Sequence, residues 1–66
     1  MVVQVQHRSE EPINFVFEDN KTALDFVRFE KDRYAEHLTG NRTIFYYGDG
    51  FTLSDHSGVI LTYKIK

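Results

Sequence analysis

Residues Asn20 to Gly40 read NKTALDFVRFEKDRYAEHLTG, and their apolar side chains recur every third or fourth position. That is the period of one helix face. On either side the period is two: Val2–His7 and Ile13–Phe17 alternate before the stretch, Phe51–Leu53 and Val59–Ile65 after it. One helix between such runs implies an α+β fold, a small antiparallel sheet with one helix packed on one face. With Thr43–Tyr47 counted as a strand, the predicted order is ββαβββ, the last three strands forming a meander.

Two residues compete to start the helix. Asn20 can cap it directly, or Thr22 can cap it with Asp25 three positions on, the spacing of a capping box. The end is expected near Leu38 or Thr39, with Gly40 free to take the left-handed conformation that closes a helix. About eighteen residues make a rod of about 27 Å, the length of a seven- or eight-residue strand.

The turns agree with this layout. Arg8-Ser9-Glu10-Glu11-Pro12 links the first two strands, and proline suits a strand start because it has no amide hydrogen to lose. Gly48-Asp49-Gly50 and Asp55-His56-Ser57-Gly58 separate the last three strands. Local signals at every level point to one architecture.

Sixty-six residues make one domain spanning residues 1–66. Such a chain buries only about 60% of the surface that it exposes when unfolded. There is no cysteine, hence no disulfide framework and no thiolate zinc site. Ten aromatic side chains and a 41% apolar content supply a compact core and argue against disorder. Small domains without staples gain stability by association, so a homodimer or a partner-bound state is expected. No apolar run approaches the roughly 20 residues that span a bilayer, and the first residues lack the charged and apolar regions of a secretory signal. A cytoplasmic location is the expectation.

The helix carries more apolar surface than one sheet can cover. At 100° per residue, Ala23, Val27, Tyr34 and Leu38 form a core stripe, with Lys31 inside it and Leu24 and Ala35 at its edge. Phe26, Phe29 and Arg33 follow i, i+3, i+7 spacing and make a second strip beside the first. Aromatic rings next to arginine are the residue types in which interface hot spots are enriched. The sheet has a surplus as well. In strand 42–47, Phe45 and Tyr47 share one face, Ile44 and Tyr46 the other. Ile44, Tyr46 and Ile60, with Val16, are expected on the solvent side as an apolar spine.

Motifs that carry chemistry are absent. His7, His37 and His56 lie on a strand, a helix end and a turn, with no metal-ligand spacing. Asp55-His56-Ser57 has the residue types of a catalytic triad, but neighbouring side chains in a turn diverge. Neither phosphate loop, GxxxxGK or GxGxxG, occurs. No cofactor, metal or small-molecule substrate is therefore expected, and the chain reads as a non-enzyme. The leading expectation is a protein-interaction module, an inhibitor, adaptor or regulator that buries apolar surface on another protein or on a second copy of itself. Its size and aromatic surplus suit an accessory protein of a virus or mobile element, or a small bacterial regulator. The alternative is single-stranded nucleic-acid binding, with Tyr46, Tyr47, Arg42, Lys64 and Lys66 on the sheet. Against it stand a net charge of −2 and the lack of a basic stripe.

Overall fold

The computed structural model describes all residues, 1–66. Strands β1 (Val2–His7) and β2 (Ile13–Val16) precede helix α1 (Asn20–Glu36); β3 (Thr43–Tyr46), β4 (Gly50–Asp55) and β5 (Gly58–Ile65) follow it. The five strands form one antiparallel sheet in the order β2-β1-β5-β4-β3. The ββαβββ α+β architecture predicted from the periodicity is the one observed. The helix is not long and apolar enough to cross a membrane.

Pairing puts the last strand between the first and the fourth. β5 is the longest strand and the one with the cleanest alternation, and it takes the central place, where both of its edges are hydrogen-bonded. Its register with β1 sets Val5 against Tyr63 and His7 against Leu61, while β4 sets Phe51 against Tyr63 and Leu53 against Leu61. Side chains opposite each other share a face, so these rows meet under the helix. Val3, Val5, Ala23, Val27, Phe51, Leu53, Leu61 and Tyr63 form the buried core. The Phe51 and Tyr63 rings stack at 4.6 Å, and Phe26 of α1 approaches Tyr63 at 6.0 Å.

Every buried side chain thus belongs to α1, β1, β4 or β5. None comes from β2 or β3. Widths explain this. Five strands about 4.8 Å apart span about 19 Å, whereas a helix with its side chains is about 10 Å across. One helix cannot cover all five, and the α1 backbone packs close against β4, β5, β1 and β3 but not against β2, so the sheet face is left open most at the β2 edge.

Local details depart from expectation at five places. The helix is capped by neither Asn20 nor Thr22. Asp19 caps it, its Oδ1 accepting from the Thr22 amide at 2.8 Å and from the Thr22 hydroxyl. Those bonds hold the Asp19 carboxyl below its ordinary value. The helix also ends early, at Glu36. The His37 and Leu38 amides reach back three residues to the Tyr34 and Ala35 carbonyls, which tightens the last turn and closes the helix. Leu38 therefore lies outside the core stripe, exposed, and Gly40, at φ 62°, serves the loop and not the cap. β4 runs from Gly50 to Asp55, longer than its three alternating residues suggested.

The fourth departure concerns β3. Its register sets Ile44 against Leu53 and Tyr46 against Phe51, so Ile44 and Tyr46 face the helix side and Phe45 and Tyr47 face away. The expectation was the reverse. A strand apolar on both faces carries no alternation to orient it, and a shift of one residue exchanges the two sets. Ile60 is corrected as well. It sits at a bulge where the β4–β5 register shifts between Leu53 and Ser54, is half-buried, and packs on the core. The same bulge turns Val59 out to solvent.

Candidate protein interface

The candidate residues separate into two groups on the helix-side face. On the β2 shoulder, Ile13 and Phe15 share the face of Val5 and Val3, their partners on β1. No helix lies over them, and they remain 52% and 41% exposed. Phe15 meets Phe26 at 5.4 Å, and Phe17 meets it at 5.0 Å. Phe26 is therefore the inner wall of this shoulder, half-buried, and not a free surface ring. Phe29 lies one helical turn further on and is 66% exposed. Phe15 and Phe26 thus meet on this shoulder, with Ile13 beside Phe15 on the sheet face and Phe29 one turn along α1 from Phe26, and these four make up an apolar ledge.

Arg33, one turn beyond Phe29 in the predicted strip, is committed elsewhere. Its guanidinium forks onto Glu30, Nε at 2.9 Å from Oε2 and Nη2 at 3.0 Å from Oε1, and lies 4.8 Å over the Tyr34 ring. Glu30 also accepts the Tyr63 hydroxyl at 2.9 Å. The Arg33 bonds hold the Glu30 carboxyl below its usual range against the opposing effect of burial. Burial first, and the Glu30 bond second, push the Tyr63 phenol well above its ordinary value. This carboxylate ties a core tyrosine to a surface arginine, so Arg33 acts as a structural tether more than as a free anchor.

The β3 shoulder is better closed. Ile44 packs on the core, and Lys31 lays its ammonium 5.0 Å over the Tyr46 ring while pairing with Asp32 at 2.6 Å. A lysine in the core stripe covers apolar surface with its stem and keeps its charge in water. Tyr46 still shows 42% of its surface. Of the six candidate residues, Phe26 and Phe29 lie one helical turn apart on the β2 side of α1, Arg33 is held by Glu30 and Tyr34, Ile44 and Tyr46 lie on the β3 side, and Ile60 belongs to neither. Ile13 and Phe15 were missed as site residues. Their alternation marked them as inward-facing, and only the strand order shows that nothing sits above them.

The opposite face of the sheet is open to solvent. Register places Gln4, Gln6, Thr52, Thr62 and Lys64 across its middle, with Phe45 and Tyr47 along one edge and Val16 at the other. The Tyr47 hydroxyl shares a hydrogen bond with Thr52. None of these strand residues is acidic.

The remaining chemistry is structural. The Asp55 carboxylate accepts the Ser57 amide at 2.7 Å and Arg8 at 3.0 Å, and both draw its pKa below the ordinary value. The same guanidinium reaches the Gly58 and Val59 carbonyls, stitching the end of β1 to the β4–β5 turn. The structure holds no group of three or more potential metal ligands. A cleft of about 220 Å³ opens between the helix end and β4, lined by Arg33, Tyr34, His37, Leu38, Arg42 and Leu53. It is smaller than the roughly 300 Å³ at which pockets for drug-sized molecules begin. Comparison with protein-family models, with curated proteins and with solved structures gives no match to this chain.

Proposed function

We propose that this chain is a non-enzymatic protein-interaction module that docks a partner on the shoulder formed by β2 and α1. The observation that carries the reading is the exposed ledge of Ile13, Phe15 and Phe29, joined to the core through Phe26. Burying such rings releases about 25 cal/mol per Å² of apolar surface removed from water. An aromatic patch of this kind on a small domain marks a binding surface. The test compares the wild type with Phe29→Ser by sedimentation velocity and by quantitative capture of partners. Phe29 is mostly in solvent, so the variant is expected to keep its fold and to lose its association. If it keeps both its oligomeric state and every captured partner, the reading fails.

A second reading rests on the outer face of the sheet. Phe45 and Tyr47 beside Lys64, among uncharged hydrogen-bonding side chains and no carboxylate, resemble the platforms on which unpaired bases stack. Tyr46 does not belong to this platform, because it faces the helix side. The reading predicts binding of an oligonucleotide that weakens steeply with salt and is lost in Tyr47→Ala. Weak binding with a flat salt response removes it.

A further inference from the structure

We infer that the β2 edge takes an extended segment of another protein as an added strand, one with apolar side chains at alternate positions and basic residues at both ends. This rests on the β2–α1 docking surface and specifies its occupant. Hydrogen-bond accounting sets the form of that occupant. The Met1 amino group donates to the Phe17 carbonyl at 2.9 Å, and the Phe17 amide donates to the Met1 carbonyl at 2.7 Å. Residues 1 and 17 are thus a bonded pair. In an antiparallel ladder bonded and non-bonded pairs alternate, so Phe15 and Ile13 turn their amides and carbonyls toward β1. Asn14 and Val16 turn theirs outward. Each unmet donor and acceptor on this edge is a template for another strand.

The edge is short, four residues entered from Pro12, but no side chain within it closes it. β2 reads INFV, with no charge and no proline within it, and Val16 is 79% exposed. Inserted charges and bulges are two of the devices that blunt natural edges, and β2 has neither. Side chains on alternate residues of an added strand would lie on the ledge under Phe29, as in recognition by β-augmentation.

Charge sets the ends of the occupant. Glu10 and Glu11 precede the strand, and Glu18 and Asp19 follow it, all exposed. None of the four forms an ion pair. Asp19 is used as the helix cap, and the Met1 amino group offsets one charge at that end. A second copy paired antiparallel about Phe15 would set Glu11 against Asp19 of the other copy, twice over, and like charges in register oppose that dimer. A segment with lysine or arginine at both ends of its strand, about seven residues or roughly 23 Å apart, fits instead.

The probe is the peptide acetyl-KRTVTVTVRK-amide, with acetyl-EETVTVTVEE-amide as its counterpart, titrated into the full chain and followed by amide chemical shifts and calorimetry. The basic peptide is expected to bind, to move the Asn14 and Val16 amides, and to weaken as salt rises. The acidic peptide is expected to bind at least about tenfold more weakly. Val16→Pro deletes an outward amide without touching the β1 ladder, and should reduce affinity by about tenfold or more. Should that variant misfold, N-methylation of alternate amides in the basic peptide makes the same test on the unaltered protein. Equal binding of both peptides, or indifference to both Val16→Pro and N-methylation, overturns the inference. So does self-association abolished by Val16→Pro, which assigns the edge to a second copy. Partner capture lost in Phe29→Ser but retained in Val16→Pro leaves the docking surface standing and removes the added strand.

Discussion

Removing one oxygen atom from the core, by Tyr63→Phe, tests how the helix is held to the sheet. Tyr63 is 4% exposed, and its ring lies between Phe51 and Phe26. Its hydroxyl donates to Glu30 at 2.9 Å, and Glu30 is also held by both arms of Arg33. A hydrogen bond to a charged group contributes about 1.5–3 kcal/mol. Because Glu30 keeps its two bonds to Arg33 in the variant, the lower end applies, about 1.5 kcal/mol. Domains of this size have a total stability of about 3–10 kcal/mol. Their melting point moves by about 4–8 °C per kcal/mol, so a fall of about 6–12 °C is expected. Glu30→Ala should cost more than Tyr63→Phe. It removes the carboxylate acceptor of a largely buried phenol together with the anchor of Arg33, and an unsatisfied buried donor costs about 1–3 kcal/mol by itself.

The same pair predicts a pH profile. The folded value of Glu30 is depressed, so its contribution is present above the unfolded value near 4.5 and is lost as pH falls through the folded value. Tyr63 is shifted upward. Its contribution is complete below the unfolded value of about 10, and is lost as the solution becomes more alkaline, where the unfolded chain releases the proton first. Urea unfolding followed by circular dichroism from pH 3 to pH 11 reads both limbs. Tyr63→Phe should flatten the alkaline limb by one proton, and Glu30→Ala should flatten the acid one. Refutation is simple to state: Tyr63→Phe as stable as the wild type, together with Glu30→Ala within about 0.5 kcal/mol of it, the range of an ordinary surface change.

Two other perturbations probe the frame that carries the ledge. A Cβ at Gly50 would collide with the Tyr63 carbonyl oxygen at the end of the β4–β5 ladder, whereas one at Gly48, at φ 99°, meets nothing. Gly50→Ala should therefore cost more than about 3 kcal/mol, the usual ceiling for overpacking, and Gly48→Ala about 1–2 kcal/mol; urea midpoints in the opposite order would show that β4 and β5 are not this close. Asp19→Ala should lower both helix content and melting temperature and weaken the acid dependence of each, because the lost carboxylate is the helix cap. A variant with unchanged far-ultraviolet dichroism would return the cap to Asn20 or Thr22.

The layout was legible because each element carries its own period. β5 alternates without a break from Leu61 to Ile65, and α1 repeats at three and four, so order and fold class followed from local pattern alone. Two kinds of information were not local. β3 has Ile44, Phe45, Tyr46 and Tyr47 in succession, and only pairing with Phe51 and Leu53 selects which two go inward. Ile13 and Phe15 carry the right alternation for a core, yet strand order puts them at an edge beyond the width of the helix. Periodicity reports which face a residue is on. It does not report how far that residue lies from the middle of the sheet. The same limit hid the Asp19 cap, since Asp19, Asn20 and Thr22 are all good caps and the geometry of the chain leaving β2 decides among them.

The surplus of apolar surface seen in the sequence has one geometric cause, a sheet about twice as wide as the helix laid on it. The two shoulders that result are not equivalent. On the β3 side the helix itself packs against the strand, Ile44 is half-buried on the core, and Lys31 lies over Tyr46. On the β2 side the chain does the opposite. It adds Phe29 to the ledge, leaves the strand edge uncharged, and sets the carboxylates beyond both ends of the strand. A domain this small has few side chains to spare from its core, and an exposed phenylalanine forgoes about 1.5–3 kcal/mol of burial. The helix lies toward β3 and away from β2, so the β2 side is the more open of the two. The β2 side is therefore where the partner proposed above is to be sought.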